Sequence, residues 1–251
     1  MAYFNYISHN IYFEEIGTGK PLLVLHGNTA SSVMFSKIAL KYAQDYKVIL
    51  IDFLGSGKSD RIRTWPEDLW FDEAMQVICF LDEKGYRDVN LIGTSGGGLV
   101  AINIALERPD LVNKLIADSF EGGRAKPDFT QALQMGREIS KHDAGAKYFY
   151  ERMHGADWEH VIDADTQAVI SHANRIVEFF HKPLSTLKPE ILLTGSKEDE
   201  FFLIGFYENL FNGMLHKIGH GSQHLFEHGG HPAMLSNQDE FLSISNDFFA
   251  R

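Results

Sequence analysis

Five short apolar runs without a polar face set the strongest limit on how this chain can fold. "LLVLHG" (22–27), "YKVILID" (46–52), "VNLIG" (89–93), "KLIAD" (114–118) and "EILLTG" (190–195) are all of strand length. A strand half-exposed in an antiparallel sheet alternates apolar and polar residues, whereas a strand covered on both faces does not. Segments long enough for helices follow them: Ser31–Asp45, Pro66–Lys84, Gly96–Glu107 and Glu200–Leu215. Strand, helix, strand at this rhythm predicts an α/β fold, with a mostly parallel central sheet flanked by helices. "YFNYISHNIYFEEIGTGKP" adds two short strands near the N-terminus, with turns at Ser8–Asn10 and Gly17–Lys20.

One stretch breaks the rhythm. From about Glu121 to Lys188 there is no buried-strand run, but there are helix-like pieces, "FTQALQMGREIS", "AGAKYFYERM" and "TQAVISHANRIVEFF". A structureless loop of that length is improbable in a compact domain. The expected organisation is a core of residues 1–120 and 189–251, with residues 121–188 inserted as a helical cap. No repeat, low-complexity segment or interdomain linker is visible.

Sheets of this kind carry their chemistry just beyond the carboxyl ends of the strands. There lies "GTSGGGLVAINIA" (93–105), which admits two incompatible readings. Gly93, Ser95 and Gly97 spell G-x-S-x-G, a turn that exposes a nucleophilic serine. Gly96, Gly98 and Ala101 spell a variant dinucleotide fingerprint, with Asp118 near the place of a ribose-binding acid. The fingerprint needs its first glycine directly after the strand, and here Thr94 and Ser95 intervene. "DFLGSGKSD" ends like a phosphate-binding loop at Gly57-Lys58-Ser59, but the first glycine of that pattern would fall on Asp52. Both nucleotide readings fail.

Alone, G-x-S-x-G arises by chance in roughly one chain in eight of this length, so its partners must decide. A serine hydroxyl needs a base within hydrogen-bond reach and an acid to orient that base. "LLTGSKEDEFF" supplies an acid just after a buried strand, and "FEHGGHPAM" supplies His231 in a glycine-rich loop. In this order the chain resembles the α/β-hydrolase superfamily, in its serine esterase-like branch. The motifs are His26-Gly27, Asp52-x-x-Gly55-x-Gly57-x-Ser59, Gly93-x-Ser95-x-Gly97, the acid loop and Gly230-His231, and they span nearly the whole chain.

The resemblance implies Ser95 as nucleophile and His231 as base, with backbone amides of Asn28 and Gly96 as the oxyanion hole. It leaves two acids. Glu198 lies three residues after the strand-ending Gly195, the common spacing, while Asp199 fits the "DEF" context and the usual aspartate. Asp199 is the preferred reading. Either would hold His231 in one tautomer. Because the donor would be the Asn28 amide, its side-chain identity is expected to matter less than its position. His26 and Asp52 read as structural, bracing the oxyanion loop and the turn after its strand.

The implied activity is cofactor-independent hydrolysis of a small carboxylic ester through an acyl-enzyme. The same fold also supports carbon–carbon bond hydrolysis, thioester or lactone cleavage and peracid formation. The carbon–carbon branch often reads Gly-Asn-Ser-Met-Gly-Gly at the elbow, where this chain has Thr94 and Gly96. A rival of another class is a small-molecule receptor that kept the pocket and lost turnover. Tyr148, Phe149, Tyr150, Met153 and Trp158 are expected mostly to pack the cap onto the core, with some lining an acyl pocket.

Charge and composition narrow the partners. With 23 basic and 34 acidic residues the net charge is −11, which disfavours nucleic acid and anionic membranes. No apolar run approaches 18 residues, and the N-terminus shows no basic region followed by an apolar run. A cytoplasmic protein acting on a small ester-like molecule is expected. The single cysteine, Cys79, excludes an internal disulfide and reads as a buried thiol. His224, His228 and His231 share no helical register that would gather them on a metal, so no metal site is expected. The remaining histidines, including His154, His160, His172, His181, His216 and His220, read as surface or cap residues.

Overall fold

All five apolar runs form strands, in a computed structural model that describes residues 2–251. Met1, where the expected 1–120 segment begins, lies outside the described residues. The strands are β1 (Ala2–Tyr6), β2 (His9–Ile16), β3 (Lys20–Leu25), β4 (Tyr46–Ile51), β5 (Val89–Thr94), β6 (Val112–Asp118), β7 (Glu190–Ser196) and β8 (Ser222–Phe226). They make one sheet in the order β1-β2-β4-β3-β5-β6-β7-β8. β1, β2 and β4 pair antiparallel, and every pairing from β4 to β8 is parallel. The β1–β2 hairpin turns at Ile7 and Ser8, both at positive φ.

The helices are α1 (Ser36–Tyr42), α2 (Leu69–Lys84), α3 (Gly96–Glu107), α4 (Pro127–Ser140), α5 (Ala144–His154), α6 (Trp158–Arg175), α7 (Phe206–Ile218), α8 (Ala233–Ser236) and α9 (Gln238–Ala250). Alternate strand residues feed two cores, one on each face of the sheet. Leu23, Leu25, Ile49, Ile51 and Leu91 pack with α2 and α3, while Leu22, Val24, Val48, Leu50 and Ile92 pack with α1 and α9. This double burial is why these strands show no polar face. α3 is buried along its whole length from Gly96 to Leu106, and its one polar residue there, Asn103, donates to the Leu99 and Phe179 carbonyls. No helix among the described residues is long and apolar enough to cross a membrane.

Four details differ from the sequence reading. β8 is absent from it: "SQHLF" carries a histidine and is mostly half-buried, so it lacks the apolar signature. The helix expected from Glu200 begins only at Phe206, and residues 200–205 form a loop. Cys79 is half-buried because it falls with Phe71 and Met75 on the outer stripe of α2. Burial and the nearby Glu83 and Asp82 push its thiol pKa up, which disfavours the reactive thiolate. Tyr148 and Phe149 point outward from α5, while Tyr150 stacks on Trp158 with ring centroids 5.6 Å apart. Tyr150 and Trp158 therefore pack inserted helices on each other rather than onto the core.

The chain reverses its direction of travel across the sheet between β3 and β5, which are adjacent and parallel, with Leu25 opposite Gly93. A crevice opens at such a switch point, beyond the carboxyl ends of the two strands. The three helices α4–α6 lie in the chain between β6 and β7.

Close packing at that crevice yields a stability prediction. A Cβ on Gly93 would sit 2.0 Å from the Gly97 carbonyl oxygen, which is backbone and cannot yield. Gly93→Ala should cost ~3 kcal/mol in urea unfolding, at the upper end of overpacking effects. Gly213 in α7 has open space around it, so Gly213→Ala should stabilise by ~0.5–1 kcal/mol. Equal responses of the two variants would refute the steric account.

Candidate active site

The turn from β5 into α3 holds Ser95 at φ 55° and ψ −126°, a backbone conformation that costs energy in any residue with a side chain. Three glycines make it possible. A Cβ on Gly97 would lie 2.4 Å from the Leu25 carbonyl oxygen, and one on Gly27 would lie 2.7 Å from the Ser95 Cβ. The Ser95 amide donates to the Asp118 carbonyl at 2.7 Å, tying the turn to the end of β6. Gly96 opens α3, so its own amide has no intrahelical acceptor and sits at the positive end of the helix.

The loop after β8 brings His231 to the same place. Its neighbours are tethered to β6: the Ala233 amide donates to Ser119 Oγ at 2.9 Å and the Met234 amide to Asp118 Oδ2 at 3.0 Å. His231 Nδ1 then meets Asp199 Oδ2 at 2.8 Å. Asp199 is almost fully buried and takes two further hydrogen bonds, from the Tyr207 hydroxyl at 2.7 Å and the Phe201 amide at 3.0 Å. Burial pushes the Asp199 carboxyl up, but His231 and these donors outweigh it, and its pKa lies below the usual value. Among the described residues the Ser95 hydroxyl has no hydrogen-bond partner, so Ser95 and His231 are linked here through the end of β6.

Glu198, the other acid in the reading, turns away. It accepts from His228 at 3.1 Å and from the Gly229 amide at 3.4 Å on the exposed side of the loop. His224 lies 3.5 Å from Glu240, so His224, His228 and His231 face three different acids.

On the other side of Ser95, the loop after β3 carries Asn28. His26 accepts from the Phe53 amide at Nε2 and donates from Nδ1 to the Gly27 carbonyl at 2.8 Å. Burial lowers its pKa, so it braces the loop as a neutral ring. Asp52 binds the amides of Ser32 at 2.7 Å and Lys58 at 2.8 Å, joining two loops. Both residues are structural, as the sequence suggests.

The Asn28 side chain is not free. Its Oδ1 accepts from Trp70 Nε1 at 3.2 Å, and its Nδ2 donates to Asp165 Oδ2 of α6 at 3.0 Å. It lies over Gly96, where a Cβ would come within 2.4 Å of Asn28 Oδ1. The side chain, expected to matter less than the position, nevertheless bridges α2 and α6. Asp165 in turn pairs with Arg137 at 2.6 Å, both buried. Burial pushes the nearby Glu73 carboxyl well above its usual pKa and that of Glu121 to about 8. Glu121 therefore favours the protonated form at neutral pH.

Sequence reasoning did not find Asp118, Ser119, Tyr207, Glu200, His154 or Asp165 in these positions. Glu200 accepts from the His231 amide at 2.9 Å. Asp118 drew notice only as a ribose-binding acid. Its place at the end of a buried strand was the one available signal.

Comparison with known proteins follows the same lines. A family model described as "alpha/beta hydrolase fold" matches residues 20–153. Over 95% of this chain and 90% of the relative, the sequence is 26% identical to 2-hydroxy-6-oxo-6-phenylhexa-2,4-dienoate hydrolase of Comamonas testosteroni. It is 38% identical to proline iminopeptidase of Heyndrickxia coagulans, but only over 43% of this chain and 37% of that protein. An esterase from Exiguobacterium antarcticum superposes with a TM-score of 0.78 at 20% identity, covering 99% of both chains.

Asp118 supplies a test of the site's electrostatics. Its carboxyl is fully buried, and burial pushes it up to about 6 against the opposing pull of the Met234 amide, Thr194 and His231. A carboxyl with a raised folded pKa binds its proton more tightly in the folded chain. Its stabilising contribution is complete below the unfolded value of about 4 and is lost as pH rises through about 6. The unfolding free energy of wild type minus that of Asp118→Asn should therefore fall by ~2 kcal/mol between pH 4 and pH 7. A difference independent of pH would contradict this.

Proposed function

Because the chain belongs to the alpha/beta hydrolase family, we propose that it is a serine hydrolase cleaving a small carboxylic ester or related acyl bond through an acyl-enzyme. One observation carries the reading: His231 is held by buried Asp199 at 2.8 Å, beside a serine in a strained, exposing turn. Asp199 fixes the proton of His231 on Nδ1, leaving Nε2 to act as base. Ser95 Oγ attacks the carbonyl carbon while Nε2 takes its proton. The tetrahedral oxyanion is met by the amides of Gly96 and Asn28. His231 returns the proton to the leaving alcohol, and the acyl group stays on Ser95. Water, activated by the same imidazole, then releases the acid and restores Ser95. The contact between Ser95 and His231 tightens when substrate fills the site.

The helices α4–α6 act as the cap that selects the acyl and alcohol portions. No cofactor enters these steps, and the proposed setting is the cytoplasm, with a small ester-like molecule as substrate. A second reading is carbon–carbon bond hydrolysis. It is favoured by the similarity over 95% of the chain to the phenylhexadienoate hydrolase, and it would use the same three residues. Ser95 stands where a halide-displacing relative would need a carboxylate nucleophile, which disfavours that chemistry.

Intact-mass analysis after treatment with a fluorophosphonate should show one adduct per chain on wild type and none on Ser95→Ala. Short-chain activated esters should turn over many times, with kcat reduced ~10⁴-fold or more in Ser95→Ala and His231→Ala. Folded wild type that takes no adduct would overturn the proposal. Binding of esters without turnover would indicate a receptor instead. Faster loss of absorbance from a 2-hydroxy-6-oxo-dienoate than turnover of any ester would favour the carbon–carbon reading.

A further inference from the structure

Thr29 follows Asn28 and adopts φ +58°, the left-handed region that a β-branched residue rarely enters. Such a conformation persists only where surrounding contacts impose it. Here the contacts come from outside the core. The Thr29 amide donates to Asp165 Oδ2 on α6 at 3.1 Å. The Thr29 carbonyl accepts from His154 Nε2, at the end of α5, at 3.0 Å. The His154 tautomer is set by its other nitrogen, because Nδ1 accepts from the Gly57 amide at 3.0 Å. Burial pushes the His154 pKa down to about 4, so the ring stays neutral and keeps that tautomer.

Asp165 also holds the residue before. The oxygen that binds the Thr29 amide accepts from Asn28 Nδ2 at 3.0 Å, and the other accepts from Arg137 at 2.6 Å. Thr29 Oγ1 closes the turn onto the Asn28 carbonyl at 2.7 Å. Both ends of residue 29 and the side chain of residue 28 are thus gripped by the helices inserted between β6 and β7.

We propose that Asp165 and His154 are positioning residues for the oxyanion hole. From the inserted helices they impose the backbone of Asn28–Thr29, and so aim the Asn28 amide at the oxygen that becomes negative in the transition state. The inference rests on the serine-hydrolase reading. It makes the hole complete only while α5 and α6 are seated, so the segment that covers the substrate also finishes the machinery. Arg137 has a supporting part: it neutralises Asp165 without touching the loop.

The test removes the grip without leaving a buried charge unpaired. In Asp165→Leu/Arg137→Met both charges go together, an exchange that buried ion pairs often tolerate. The expected result is a kcat lower by ~100-fold with KM within about threefold of wild type, the size of losing one oxyanion donor. A boronic acid that forms a tetrahedral adduct with Ser95 should lose affinity by the same factor, while a ground-state product acid should not. Amide exchange over residues 26–31 should quicken. Adding Thr29→Gly separates positioning from relief of strain, since glycine adopts this φ at no cost. If Asp165 merely offsets the strain at Thr29, the glycine restores kcat and the proposal falls. If Asp165 aims the loop, kcat stays low.

Asn28→Ala decides the matter should the double variant not fold. It keeps the amide but loses the tether, and kcat should fall ~10-fold at unchanged KM. Unchanged kcat and boronate affinity in folded variants would overturn the proposal. Wild type that neither takes a fluorophosphonate nor turns over an ester would overturn the hydrolase reading itself. Amide exchange would then still report whether the grip on residues 26–31 exists.

Discussion

The close approach of β3 to the β5–α3 turn is the constraint on which the remaining geometry depends. Leu25 pairs with Gly93, and two residues later the chain at Gly27 passes so near Ser95 that neither Gly27 nor Gly97 can carry a side chain. That contact sets how near the loop after β3 comes to the serine. It does so through backbone in a buried parallel sheet, where register is fixed by packing on both faces. The neighbouring strand ends extend the same row: Thr94 opposite Asp118, and Asp118 opposite Thr194. His231 and Asp199 are then placed by short tethers to this row and not by long-range docking.

The parts of this arrangement that can be read from sequence are those with a local cause. Doubly buried strands announce themselves as apolar runs, and the strained turn announces itself through Gly93 and Gly97. Ser95 and His231 follow because their loops carry glycine signatures. Tyr207, Glu200, His154 and Asp165 have no such marker. Each acts through contacts to residues 8 to 137 positions away, and an acid on an amphipathic helix looks the same whether it faces solvent or Thr29. β8 escaped notice for a related reason, since it is short and its burial is shared with the protein's edge. The outward turn of Tyr148 and Phe149 has the same origin: aromatic residues in an inserted helical segment have more than one partner to choose from.

Charge at the crevice is arranged by burial more than by number. Five carboxyls cluster near it, at Glu73, Asp118, Glu121, Asp165 and Asp199, yet only two are held by strong partners. Asp199 has His231, Tyr207 and a backbone amide, while Asp165 has Arg137 and the Asn28–Thr29 turn. The other three have pKa values pushed up by burial, and Glu121, at about 8, favours the protonated form at neutral pH.

The acid loop shows how such a site tolerates an apparent misalignment. Asp199 stands one residue beyond the common spacing from Gly195, and a simple count would turn it outward. The loop instead tightens: the Asp199 amide donates to the Ser196 carbonyl at 3.3 Å, and Ser196 Oγ donates to the His228 carbonyl at 2.8 Å. Glu198 is thereby directed to solvent and to His228. The Asp199 carboxylate swings under the loop, where Tyr207 reaches it from α7 and the Phe201 amide closes the turn. Phe201 then lies edge-on to the His231 ring, at 4.9 Å and 87°. The Phe201 amide and ring thus both contact the Asp199–His231 pair. Which carboxylate meets His231 follows from the donors awaiting it, and Asp199, unlike Glu198, has them in a buried place.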